Sequence, residues 1–208
     1  MLRYIMLNSS ARQISFIVMM LVPVSNAWSE EVSFSYIEAN IVVTTVDPGE
    51  STEEIEGNGF GFSLSLDINT NIAFSLSVIS TTFETFQGIE VDTSKKTDFG
   101  FTAHKTIAPA TDIFANLSIT QAVITVPDGA TSETDKDYGT VFGIGVRHKG
   151  RNGLELELGG TNTEVFDTKT SSYNVAARLY FRKVFSAGFG YISSDNADSF
   201  LFNVRMDI

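Results

Sequence analysis

Gly59-Phe60-Gly61-Phe62-Ser63-Leu64-Ser65-Leu66-Asp67-Ile68 decides the fold. Phe60, Phe62, Leu64, Leu66 and Ile68 fall on one parity, and Gly59, Gly61, Ser63, Ser65 and Asp67 on the other. Successive side chains of a strand point to opposite faces, so this is a strand with one bulky apolar face and one small polar face. The pattern recurs downstream. Tyr173, Val175, Ala177, Leu179 and Phe181 oppose Asn174, Ala176, Arg178, Tyr180 and Arg182, and Phe200, Phe202, Val204, Met206 and Ile208 oppose Leu201, Asn203, Arg205 and Asp207. Helical spacing fits none of these runs as well.

Turn signals divide the chain into about ten strands, placed near 31–46, 56–67, 71–86, 97–107, 111–125, 138–148, 153–164, 171–182, 185–193 and 199–208. Their connections alternate in kind. Asp67 to Asn71, Ala108 to Ala110, Lys149 to Gly153 and Arg182 to Val184 are short, whereas Asp47 to Glu54, Gly88 to Lys96, Pro127 to Asp137, Glu164 to Thr170 and Ser194 to Ser199 are longer and acidic. Short turns at one end and longer loops at the other are the layout of a transmembrane barrel. The first strand is the least regular: Phe34 and Tyr36 have one parity and Ile37, Ala39, Ile41 and Val43 the other, which predicts a β-bulge near Tyr36–Ile37.

A soluble β-sandwich also alternates, with its apolar face inward. Three features favour the membrane. Gly59, Gly61, Gly100, Gly139, Gly143, Gly145, Gly188 and Gly190 all lie on the polar face, where a narrow barrel interior needs small residues. On the solvated side of a sandwich they would only weaken the strands. Aromatic residues, among them Tyr138, Phe166, Tyr173, Phe200 and Phe202, gather near strand ends, as interfacial girdles do. Charge is also split: carboxylates such as Glu53, Glu90, Asp135 and Asp195 occupy the long loops, while Lys105, Arg147, Lys149, Arg151, Arg182, Lys183 and Arg205 lie toward the short turns.

The N-terminus reads as an export signal. Arg3 and Arg12 precede an apolar run from Ile14 to Val22, too short to span a bilayer, and Ser25-Asn26-Ala27 supplies the small residues of a cleavage site. The expected division is a cleaved segment 1–27 and a barrel domain 28–208. The 208-residue chain has no Cys and a formal charge of -11. A disulfide framework and a thiolate metal site are excluded, and no basic stripe exists to neutralise nucleic-acid phosphates.

With an export signal, alternation throughout and the final strand Phe200-Leu-Phe-Asn-Val-Arg-Met-Asp-Ile208, the mature chain resembles small outer-membrane barrel proteins of the OmpX and OmpA-transmembrane type. The likeness is architectural and rests on no specific motif. It implies an all-β, up-and-down antiparallel transmembrane β-barrel in the cell outer membrane. About ten strands are counted here, where that family commonly has eight, and its last residue is usually aromatic where this chain has Ile208.

Chemistry-bearing residues are sparse. Outer-membrane enzymes of similar architecture (lipid A deacylases, lipid A palmitoyltransferases, omptin proteases) use His with Ser or Asp at the outer face. Here His104 and His148 fall near the short turns, and neither begins a His-x-Ser pair. Glu155, Glu157, Arg147, Arg178, Arg182 and Arg205 share the interior parity near one end, with Glu157 expected opposite Arg178. They form either a satisfied interior charge network or a constriction in a narrow pore. The spacing of the acidic loops matches no EF-hand loop. No catalytic, cofactor-binding or metal-ligating residue is assigned, and no cofactor is expected. The expected role is non-enzymatic: a structural or surface-interaction barrel, or a narrow passive channel. An outer-face enzyme acting on lipid A or peptides, and loops that bind cations or a host surface, are the alternatives. Expected partners are outer-membrane lipids and lipopolysaccharide, with the chain a monomer and no nucleic acid involved.

Overall fold

The computed structural model describes residues 32–47, 54–83, 93–128 and 131–208. The expected export segment 1–27 lies outside these residues, as do 48–53 and 84–92, where the sequence places two of the acidic loops. Ten strands follow in order: β1 (Tyr36–Val46), β2 (Ile55–Asn69), β3 (Ile72–Phe83), β4 (Thr93–Ala108), β5 (Thr111–Asp128), β6 (Thr131–Lys149), β7 (Leu154–Val165), β8 (Thr168–Tyr180), β9 (Phe185–Ser194) and β10 (Ala197–Asp207). Each pairs antiparallel with its chain neighbour. β1 also pairs with β10, from Tyr36↔Asp207 to Val46↔Ala197, so the sheet closes into an up-and-down barrel and neither edge is left open. The strand count is the expected ten.

The partition of side chains is the reverse of a soluble core. Arg205, Glu155, Thr120 and Ser186 are each fully buried, whereas Phe60 is 72% exposed, Ile41 63% and Phe189 62%. Polar residues of alternate parity line the lumen and the bulky apolar residues face out. Water would penalise such an outer wall at roughly 25 cal/mol per Å² of apolar area, a penalty that hydrocarbon removes.

At several lumen positions glycine fits because its neighbours leave no room for more. A Cβ on Gly145 would run into the Phe114 ring, and one on Gly188 would come within 2.8 Å of Arg178 Cγ. The weakest expected turn, at Arg182-Lys183-Val184, has neither Gly nor Pro, yet β8 and β9 close over it through backbone bonds such as Phe181 N–H to Phe185 O at 3.1 Å.

Two expectations are corrected. β1 has no bulge: its ladders with β2 and β10 run without a register shift from Tyr36 onward. Phe34 precedes the strand and turns inward, 2% exposed, which is why its parity differs from that of the outward residues. The described long-loop connections are also tighter than expected. β5 and β6 remain paired as far as Asp128↔Thr131, so Pro127 and Ser132 to Asp137 belong to a ladder rather than a loop. β7 and β8 turn on two residues, Phe166 (φ 51°) and Asp167 (φ 54°), the left-handed pair that a type I′ hairpin requires. Asp137 accepts a hydrogen bond from the Phe166 N–H and helps to hold that turn.

Candidate functional site

Near the short-turn end, strands from opposite sides of the barrel meet in a charged floor. Four carboxylates, Glu38, Glu155, Glu157 and Asp207, converge on three guanidiniums. Arg178 is the hub. Its Nε donates to Glu38 Oε2 at 3.2 Å, and its Nη1 lies 3.1 Å from both Glu155 Oε1 and Glu157 Oε2. Arg147 donates to Glu157 Oε2 through Nη2 at 3.0 Å and Nε at 3.1 Å. Arg205 donates to Asp207 Oδ1 at 2.8 Å and reaches Glu155 Oε1 at 3.4 Å. Asn174 Nδ2 satisfies the other oxygen of Glu157 at 3.2 Å, and the Tyr180 hydroxyl stands 3.3 Å from Glu155 and 3.0 Å from Asp207. Buried charges are tolerated only when paired and hydrogen-bonded in this way.

The floor crosses the lumen. Arg147 stands on β6, which is five strands from β1 in either direction round the ring. Its Nη1 nevertheless donates to the carbonyl of Ser33, in the segment leading into β1, at 3.2 Å, and Arg205 Nη2 donates to the same oxygen at 2.7 Å. Phe34 completes the span. Its ring stacks on His104 of β4 at 3.9 Å between centroids, and the Arg147 guanidinium lies 4.7 Å from its centre. Tyr36 lies under Arg205 at 3.8 Å, and the Lys149 ammonium lies over Tyr180 at 3.8 Å. His104 is held from the other side by Asp67, 3.1 Å from its Nε2, with Asp112 3.9 Å from Nδ1. Ser35 Oγ bonds Asp67 rather than His104, so these groups do not form a nucleophile–base relay. His148 lies on the outward parity, with its Nδ1 2.8 Å from Thr111 Oγ1.

Of the six sequence-derived candidates, Arg147, Glu155, Glu157, Arg178 and Arg205 come together here. Arg182 does not: the chain leaves the ladder after Tyr180, parity no longer directs the next side chains inward, and Arg182 is exposed. The expected Glu157–Arg178 pairing is also corrected. Because the hairpin turns on Phe166-Asp167, Arg178 stands opposite Glu155 and Glu157 opposite Ala176. Arg178 meets Glu157 as a diagonal neighbour. Glu38, Tyr180 and Asp207 carry the same interior parity as the candidates and were legible by that signal. The Ser33 carbonyl and the inward turn of Phe34 had no sequence signal, since both lie before the ladder begins.

Above the floor the lumen opens into a cavity of about 400 Å³ lined by short polar side chains, among them Ser63, Ser77, Asn116 and Thr161. That volume holds roughly a dozen waters. Besides Glu38, Arg147, Glu157 and Arg178 of the floor, the charged residues Lys96 and Asp98, 3.5 Å apart, line its wall. Among the described residues, no three His, Asp or Glu side chains gather as a metal site requires.

No protein-family model matches the sequence, and no curated protein does. Solved structures are similar in fold. The β domain of the Bordetella autotransporter BrkA superposes with a TM-score of 0.51 at 10% identity, over 85% of this chain and 100% of that one. Neisserial surface protein A gives 0.47 at 12% identity, over 86% of this chain and 100% of that one. The attachment invasion locus protein Ail of Yersinia pestis gives 0.48 at 11% identity, over 84% of this chain and 97% of that one. At these identities the likeness concerns the fold: a small β-barrel of the outer-membrane type.

Proposed function

We propose that the protein is an integral barrel of the bacterial outer membrane with a non-enzymatic, structural or surface-interaction role, its lumen closed at the periplasmic end. The short turns then face the periplasm and the β5–β6 hairpin stands toward the cell exterior. The barrel is a monomer surrounded by outer-membrane lipids and lipopolysaccharide, and it binds no nucleic acid. The observation that carries the closed lumen is the bond from Arg147 to the Ser33 carbonyl, which joins opposite walls with the Phe34 ring stacked alongside. A ten-stranded barrel is narrow enough for side chains to fill, whereas open diffusion pores need about sixteen strands.

Envelope fractionation with gels run before and after boiling tests the membrane reading. Recovery in the outer membrane with a heat-dependent mobility shift is expected, and a soluble product without a shift overturns it. Planar-bilayer recording then tests closure. The wild-type barrel should pass almost no current, and the double variant Phe34→Ala/Arg147→Ala should pass markedly more. A wild-type conductance that the double variant leaves unchanged would show that the floor does not set permeability, and a narrow passive channel would replace the closed reading.

A further inference from the structure

Beyond this role, we propose that the membrane-facing wall carries a binding site for one anionic glycerophospholipid of the periplasmic leaflet, with its acyl chain in a groove across β4 to β8 and its phosphate on Lys105. The inference rests on the membrane-barrel reading above.

Register places three rows of outward side chains one above another. The middle row is Ala103–Ala115–Ile144–Gly160–Tyr173. Toward the hairpin end the row on β4 to β6 is Phe101–Leu117–Phe142, and toward the short turns it is Lys105–Ile113–Val146–Leu158–Val175. Small residues at Ala103, Ala115 and Gly160 lie between bulkier rows, so the wall is dented. The dent is a cavity of about 770 Å³ with an almost wholly apolar lining. The groove is open on its outer side, and its volume falls within the roughly 300–1,000 Å³ of ligand sites.

Among the residues lining the groove, Lys105 alone bears a permanent charge. Its side chain is exposed, and no hydrogen bond or ion pair engages its ammonium among the described residues. It stands three residues before the end of β4, and on the membrane-barrel reading its stem lies along hydrocarbon while its ammonium reaches the headgroups. A cation held there without a protein partner is complementary to a phosphate, and the groove that begins beside it is complementary to the chain that phosphate carries. A second copy of the barrel fits less well. A two-fold contact at this face would bring the two Lys105 ammoniums toward each other with no carboxylate in the lining to separate them.

Native mass spectrometry of the folded full-length mature chain, offered equal amounts of phosphatidylglycerol and phosphatidylcholine, tests the site. One phosphatidylglycerol per barrel is expected, preferred about fivefold, the size of effect that one lysine near an anionic surface produces. Lys105→Glu should abolish the preference. Ala115→Leu, which fills the groove, should lower retention of both lipids, and both variants should keep the heat-dependent gel shift. Equal retention of the two lipids by the wild type, or a preference unchanged in Lys105→Glu, overturns the proposal, as does a lipid-free dimer mass. Absence of the gel shift in the wild type would instead remove the membrane-barrel reading, and this site with it.

Discussion

The two halves of the lumen are built from the same strands in opposite ways. Toward the short turns, Arg147, Arg178, Arg205 and Glu155 are buried and interlocked, and aromatic rings close the remaining space. Toward the hairpins, short hydroxyl and amide side chains line an open cavity, and Lys96–Asp98, a charged pair on its wall apart from the floor, is partly exposed. Alternation permits either design, because it says only that these residues point inward. What separates the halves is side-chain length. Long cations reach across to other strands and tie the wall together, whereas Ser and Asn do not span the bore. The lower half should therefore carry the stability of the barrel and the upper half should tolerate change.

The largest effect is expected at the hub. Arg178→Glu places a fourth carboxylate among Glu38, Glu155 and Glu157 and leaves only the Arg147 and Arg205 guanidiniums to face them. Breaking a buried ion pair costs about 3–5 kcal/mol, and reversing the sign should cost at least that. Urea titration in lipid vesicles should show a much lower midpoint, and the heat-dependent gel shift should weaken or disappear. An unchanged midpoint would mean that the network is ornamental to folding. Phe34→Ala comes next. It removes the stack on His104 and the cation–π contact with Arg147 while leaving every strand paired. A loss of about 3 kcal/mol is expected, the low end for a buried Phe truncation, and the same titration reads it.

How much of this contrast was legible in the sequence depends on which atoms make it. Parity alone placed Glu155, Glu157, Arg147, Arg178 and Arg205 in the lumen, because the ladders from β5 to β10 run without a register shift. Register was harder. The expected pairing of Glu157 with Arg178 requires the β7–β8 hairpin to close one position later than Phe166-Asp167, where it turns because Phe166 adopts a left-handed conformation that a bulky residue seldom takes. That one-position difference moved Arg178 from Glu157 to Glu155. Arg182 was misplaced for a related reason, since parity stops having meaning where β8 ends. The contact across the bore, from Arg147 to the Ser33 carbonyl, joins residues 114 apart in sequence through a backbone atom, and no residue pattern announces a backbone acceptor.

The sharpest form of the comparison lies within one strand. Gly188 and Gly190 are both lumen glycines of β9, two residues apart, one at the charged floor and one above it. A Cβ at Gly188 would meet Arg178 Cα and Cγ at 2.8 Å, besides running into the Ala177 carbonyl. Gly188→Ala should therefore push the Arg178 hub off its partners and cost about 1–3 kcal/mol, as overpacking does. At Gly190 the nearest atoms are Ala176 Cβ and Val175 O at 3.6 Å and Leu201 Cβ at 3.8 Å, which is ordinary contact. Gly190→Ala adds no clash and narrows the unfolded ensemble, so it should stabilise the barrel by roughly 0.4–1 kcal/mol. Urea midpoints that move in opposite directions for these two substitutions would locate the boundary between the packed and open halves at that strand. If both fall together, the upper cavity is as tightly packed as the floor and the distinction between the halves fails.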